Sequence, residues 1–241
     1  MQSFYLALQF LTRIPVSVHF QASDKQLGYS VLFYPLVGLI IGALLVGTGV
    51  LLQDIDSSLQ AAIVLSVWVY LSGGLHLDGL ADCADAWVGG LGDREKTLDI
   101  MKDPAAGPVA VIVLVLLLLL KWAALQTLLN QQSYQALLLV PLLGRVAIIL
   151  FMLTVPYVRK KGLAEKLIEQ MPQSKMWLVS CGLLLGSAFI IGILPVLITI
   201  LMVLAIRHGA LARLGGMTGD VYGAGVELVE TAVLISLVIY V

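Results

Sequence analysis

Apolar runs long enough to cross a bilayer recur along this chain, at residues 29–52, 59–77, 108–129, 134–156, 176–192, 194–206 and 226–241. A spanning helix needs about 20 mostly apolar residues. The pattern therefore predicts an all-α, polytopic integral membrane protein with about seven transmembrane helices. The last three runs are short, which leaves their ends open.

The polar breaks between runs alternate in kind. Gln53–Ser58, Asn130–Ser133 and the turn around Gly192–Pro195 are short and hold no Lys or Arg. The long breaks hold Arg13 and Lys25; then Arg94, Lys96 and Lys102; then Arg159, Lys160, Lys161, Lys166 and Lys175; then Arg207 and Arg213. Twelve of the 14 basic residues thus fall on one side, which the positive-inside rule makes cytoplasmic. The N-terminus is expected inside, the C-terminus outside, and the working loops in the cytoplasm. With no internal repeat and no soluble domain, residues 1–241 read as one membrane unit.

Composition agrees with the pattern. Apolar residues make up 60% of the chain and charged residues 12%, against about 25% charged in an average soluble domain. Mean hydropathy is +1.00. Disorder and a soluble globule are excluded. A formal net charge of -1 offers no basic excess for nucleic acid. Cys83 and Cys181 fit neither a disulfide framework nor a zinc cluster. The opening MQSFYLALQFLTRIP has neither a basic start nor a small-residue cleavage site, so no removed signal peptide is expected.

The two remaining basic residues, Lys121 and Arg145, lie inside apolar runs. A charge at the bilayer centre costs about 2.5–3.5 kcal/mol on insertion scales. Lys121 is near the outer end of its run, where it can snorkel to the interface. Arg145 is central, which points to a buried pairing or functional role. Glu227 and Glu230 enter the last run, and Glu227 is a candidate partner for Arg145.

The acidic residues carry the chemistry. In GGLHLDGLADCADAWVGG (73–90), Asp78, Asp82 and Asp85 stand at i, i+4 and i+7, one face of a helix. Three like charges on one stripe repel. A helix N-terminus accommodates one of them, but a stripe of three calls for a cation. Hard carboxylate oxygens suit Mg²⁺, which takes one or two carboxylates together with substrate phosphates. His76 is out of phase with the stripe and suits a packing hydrogen bond as well as it suits catalysis. Glu95 and Asp99 are interleaved with Arg94, Lys96 and Lys102, as on a solvated helix. Asp103 precedes Pro104, which places it at a helix exit and makes it the better candidate for completing a metal site. The last long loop, ARLGGMTGDVYGAGVELVE, holds five glycines with Thr218 and Asp220 among them. Such a turn can aim backbone N–H groups at phosphate, although a flexible connection would look the same. It is neither a P-loop nor a dinucleotide fingerprint. Nothing resembles a Ser-His-Asp or Cys-His nucleophile. Carboxylates, an intramembrane arginine and a glycine loop suit metal-assisted transfer on a diphosphate substrate.

At these residues the chain resembles the cobalamin synthases, the adenosylcobinamide-GDP ribazoletransferases. The matching stretches are FLTRIPV at 10–16, YPLVGLIIG at 34–42, GGLHLDGLADCADAW at 73–87, DREKTLDIMKD at 93–103, PLLGR at 141–145 and GGMTGDVYGAGVELVE at 215–230. Cys83, Trp87 and the PAAGP after Asp103 depart from the family pattern without removing an acidic residue. The resemblance implies a Mg²⁺-dependent enzyme of the bacterial inner membrane. Its substrates would be adenosylcobinamide-GDP and α-ribazole or its 5′-phosphate, and its products adenosylcobalamin or its phosphate plus GMP. On that reading Asp78, Asp82, Asp85, Asp103 and Asp220 hold Mg²⁺. Arg145 grips a phosphate, Asp85 or His76 takes the hydroxyl proton, and Gly215, Gly216, Thr218, Gly219 and Glu227 contact substrate. CDP-alcohol phosphotransferases use similar chemistry, but their D-G-x-x-A-R signature requires arginine where Asp82 stands. A cation-coupled transporter commonly has two repeated halves, and this sequence has none.

Overall fold

The computed structural model describes residues 1–16, 21–159 and 163–240. Lys160 and Lys161 of the basic loop lie outside the described residues. Twelve α-helices account for nearly all of the rest, with no strand among the described residues. They are α1 (Gln2–Leu11), α2 (Asp24–Ser30), α3 (Tyr34–Leu51), α4 (Ser57–Ser72), α5 (Leu75–Gly89), α6 (Arg94–Ile100), α7 (Pro108–Asn130), α8 (Tyr134–Thr154), α9 (Leu163–Gln170), α10 (Gln173–Ile191), α11 (Ile193–Leu214) and α12 (Gly219–Tyr240).

Local sequence sets many of these boundaries. Ser23 and Gln26 form a reciprocal capping box at the start of α2. Asp56 accepts the N–H groups of Ser58 and Leu59 to start α4, and Asp93 accepts that of Lys96 to start α6. Gly107–Pro108 opens α7 with proline in the first turn, where its missing N–H costs nothing.

Six helical stretches are long and apolar enough to span a membrane: Asp24–Leu51, α7, α8, α10, α11 and most of α12. The run expected at 59–77 is shorter. It stops at Ser72, because Gly73 and Gly74 both take left-handed φ values, +65° and +70°. Helix α5 then leaves at 88° to α4. Taken together as one bent pair, α4 and α5 bring the count of candidate spans to seven, and α4 runs back along α3. At its start the Gln60 side chain donates to Gly49 O near the end of α3. At its finish Leu71 O accepts the N–H of Arg13, just after α1. Its 16 residues rise about 24 Å. Helix α5 therefore runs along one end of the bundle and is not itself a crossing.

Two other expectations change in length. Helix α11 continues past 206 to Leu214, and α12 begins at Gly219, not at 226. The expected long glycine loop is therefore only the four residues 215–218. The other glycines belong to α12, where Gly223 and Gly225 pack closely against His76 and Phe151.

Helix α8 is the centre of the bundle, with 89% of its apolar window buried, and it packs against α3, α12 and α10. Helices α7, α10 and α11 bury only 22–28% and present their apolar faces outward, as lipid contact requires. Helices α1, α2, α5, α6 and α9 collect at the end where α3, α7, α10 and α12 begin, which is also the end carrying the basic loops.

Candidate active site

The α5–α12 contact builds the acidic cluster. Gly79 packs on the first turn of α12, where a Cβ would come within 2.6 Å of Asp220 O. Gly223 sits likewise against the backbone of His76. Only glycine lets the two backbones approach this closely, and the approach brings Asp220 beside the α5 stripe. The stripe itself is as expected: Asp78 is exposed and Asp82 half-buried. Partial burial, then the charges of Asp220 and Asp78, push the Asp82 carboxyl up to about 6, with Arg159 opposing.

Asp220 has a cationic partner that the sequence reading did not single out. Arg159 Nη2 lies 2.7 Å from Asp220 Oδ2 and also donates to Met101 O. The segment carrying Arg159 is tied to the glycine turn. Met217 N–H donates to Pro156 O and Val158 N–H to Met217 O. Gly216 is buried beneath Pro156, and Gly215 closes α11 in a left-handed conformation beside Arg94. The Thr218 hydroxyl accepts the N–H of Val221 and reaches Asp220 Oδ2 at 3.4 Å. The turn thus fixes Arg159 against Asp220. Gly219, at its end, is exposed.

Asp85 has a different occupation. Its carboxylate accepts the N–H groups of Gly107, at 2.5 Å, and Ala110, at 3.0 Å, capping the start of α7. Asp103 is exposed after α6, as the Asp-Pro step predicts, and accepts the N–H of Ala105. Neither carboxylate is free in the way Asp78 is.

Arg145 lies away from any phosphate path, with no solvent exposure. Its Nη1 bonds Glu230 Oε1 at 2.5 Å and Pro141 O at 3.3 Å. Glu227, the candidate partner, instead meets Lys121 Nζ at 2.6 Å, and Glu230 Oε2 meets the same ammonium at 2.9 Å. Lys121 does not snorkel. It is 2% exposed and also lies over the Trp68 ring. The four side chains form a charge-balanced network among α7, α8 and α12. Charge balance explains it: each buried charge needs an opposite one, and α12 supplies two carboxylates three residues apart, although Arg145 Nε and Nη2 make no hydrogen bond within the protein. His76 is buried nearby. Burial, then the charges of Arg145 and Lys121, hold its pKa well below the usual range, so the imidazole is neutral at pH 7.

Two cavities meet at Asp78. One, of about 450 Å³, is polar and bounded by Thr12, Arg13, Ser72, Gly73, Gly74 and Asp78. Helix α5 starts there with no side chain capping its first N–H groups, and the side chain of Arg13 lies over Gly73. The second, of about 160 Å³, continues inward between α1, α3, α5, α8 and α12, with Tyr34, His76 and Tyr222 on its walls and Asp78 and Asp220 at its rim. Tyr34 and Tyr222 escaped the sequence reading. Tyr34 follows Phe33 at the head of the apolar YPLVG, and Tyr222 is a lone aromatic in GDVYGAG.

Among the described residues no three His, Cys, Asp or Glu side chains converge as a closed metal cage. An all-oxygen set of one or two carboxylates is nevertheless what Mg²⁺ uses when substrate phosphates and water complete its shell. Asp78 and Asp82 lie close enough to Asp220 for the charges to add to the effect of burial on the Asp82 carboxyl, while Asp220 itself is paired with Arg159.

Comparison with known proteins identifies the family. The cobalamin-5-phosphate synthase family model matches residues 3–238. An adenosylcobinamide-GDP ribazoletransferase of Pseudomonas aeruginosa is 52% identical over 239 residues, covering 98% of both chains. That of Pseudomonas fluorescens strain Pf-5 is 48% identical over 246 residues and the full length of both. That of Stutzerimonas stutzeri is 48% identical, covering 98% of this chain and 97% of its own. No solved structure matches the chain. With the match running through every acidic and glycine motif described above, the chain belongs to the cobalamin-5-phosphate synthase family.

Proposed function

We propose that the protein is a Mg²⁺-dependent adenosylcobinamide-GDP ribazoletransferase, acting at the cytoplasmic face of the bacterial inner membrane. The observation that carries this reading is the meeting of Asp78, Asp82 and Asp220 at the α5–α12 contact, beside a polar cavity holding Arg13 and an uncapped helix N-terminus. Family membership supplies the substrates: adenosylcobinamide-GDP and α-ribazole or its 5′-phosphate. Gathering of the basic loops at the same end supports a cytoplasmic site.

In the reaction the ribazole 5′-oxygen forms a bond to the corrinoid-side phosphorus. The bond from that phosphorus to the bridging oxygen breaks, and GMP leaves with the bridging oxygen. Arg13 and the first N–H groups of α5 orient the diphosphate in the polar cavity. Arg159 holds Asp220 in place toward the stripe. The neutral His76 imidazole lines the wall shared with Asp78, and the hydroxyl proton leaves through water at that rim. Asp78 and Asp82, with Asp220 nearby, would hold Mg²⁺, which supplies charge neutralisation on the diphosphate. Asp85 and Asp103 support the site from outside that shell, as caps of α7 and of the turn before it. Arg145 and Glu227 support it through the buried network.

Purified protein in detergent or nanodiscs should release GMP from adenosylcobinamide-GDP only when α-ribazole and Mg²⁺ are both present. Asp82→Asn should lower that rate at least about a hundredfold, the scale on which lost charge stabilisation is felt, while membrane insertion is unchanged. Near-normal turnover by this variant would remove Asp82 from the metal site. Cation-driven uptake into liposomes without GMP release would replace the transferase with a transporter.

A further inference from the structure

The inner cavity differs from the polar one in ways that select its occupant. Its walls are mostly apolar, with Phe10, Ile148, Met152 and Leu167 among them. No Lys or Arg lines it, and two carboxylates stand at its rim. A phosphate would meet only repulsion there. At about 160 Å³ it is well below the roughly 300 Å³ of a site for a drug-sized ligand, so neither the corrinoid nor a whole nucleotide fits. One flat bicyclic ring system does.

Polarity narrows the choice further. The Tyr222 hydroxyl is buried, with the residue 5% exposed, and makes no hydrogen bond within the protein. The ring is held rigidly, stacked at 7° on Tyr157 and tilted against Phe151. The Tyr34 hydroxyl is enclosed beside the Ser30 hydroxyl, which donates to Leu27 O and can accept from Tyr34, so Tyr222 is the donor left to a ligand. A buried hydroxyl with no acceptor in the protein is unfavourable, so Tyr222 offers its donor to a ligand that brings an acceptor into the cavity. Guanine would bury an edge crowded with donors and acceptors, most of them unmet. The ring of α-ribazole, a dimethylated benzimidazole, presents methyl groups and a single bare ring nitrogen.

We propose that the cavity walled by Tyr34, His76 and Tyr222 is the subsite for the heteroaromatic base of the acceptor nucleoside, with its ribose directed toward the Asp78–Asp220 rim. This inference rests on the ribazoletransferase reading and adds to it a division of labour. The polar cavity takes the diphosphate of the donor, and the apolar one takes the base of the acceptor. Tyr222 donates to the ring nitrogen, and Met152 and Ile148 bound the methylated edge.

The test separates the two KM values in the full-length protein. Tyr222→Phe should raise KM for α-ribazole about tenfold, the effect of one lost hydrogen bond in a dry site, with KM for adenosylcobinamide-GDP changed less than about twofold. Met152→Phe, which narrows the cavity, should disfavour α-ribazole relative to the riboside of unmethylated benzimidazole. Equal shifts in both KM values, a shift in the donor KM alone, or unchanged acceptor preference would each overturn the assignment. A donor shift alone would give the cavity to guanine. Absence of GMP release by the wild type would instead overturn the transferase reading, so the two failures are distinct.

Discussion

At Asp82 a proton and a cation compete for one carboxylate. Partial burial and the neighbouring Asp220 and Asp78 charges raise its pKa to about 6, so the proton is held more tightly than in a free chain. The sign follows directly: as pH falls through 6 the carboxyl becomes neutral and the cation loses a ligand. The Mg²⁺ concentration giving half-maximal GMP release should rise about tenfold between pH 7 and pH 5, since one pH unit below the pKa costs a factor of ten. A half-saturation unchanged over that range would show that Asp82 does not face the metal. The spacing of Asp78, Asp82 and Asp85 was legible in the sequence because helical periodicity is local. That Asp85 turns to cap α7 was not, since Gly107 and Ala110 are 22 and 25 residues away.

Between elements, the deciding feature is the buried network joining α7, α8 and α12. Lys121 and Arg145 carry two positive charges, Glu227 and Glu230 two negative ones, and all four are at most 4% exposed. Removing one member leaves an unpaired charge in an apolar core, typically a loss of about 3–5 kcal/mol. Glu230→Gln should therefore lower the thermal unfolding midpoint of the purified protein sharply. Combining Arg145→Met with Glu230→Gln restores neutrality and should recover most of the loss. If the double variant is as unstable as the sum of the single ones, charge balance is not what the network provides. The sequence showed that Arg145 needed a partner inside the membrane. It could not rank Glu227 against Glu230, because the two lie less than one helical turn apart and only the rotation of α12 separates them. Lys121 was misjudged for a related reason: distance along a run suggests an interface, while helix packing placed its ammonium 2.6 Å from a carboxylate.

For the molecule as a whole, counting the bent α4–α5 pair as one span gives seven crossings, which would place the two termini on opposite sides. In a background of Cys83→Ala and Cys181→Ser, Lys96→Cys should react with an impermeant maleimide only after cells are permeabilised. Asn130→Cys should react once the outer membrane alone is opened. The reverse pattern would invert the orientation and move the α5 stripe out of the cytoplasm. The helical class, the apolar crossings and the alternation of basic loops were determined by the sequence alone, since hydropathy and loop charge are properties of short segments in contact with lipid or water. The carboxylate stripe belongs with them. Tertiary structure alone decided that α4 stops at Gly73 and that α5 lies across the end of the bundle. It also decided that Asp220 and Arg159 join the stripe and that Tyr34 and Tyr222 enclose a cavity. Those features depend on how closely helices far apart in the chain can approach, and side-chain volumes at their crossings set that distance.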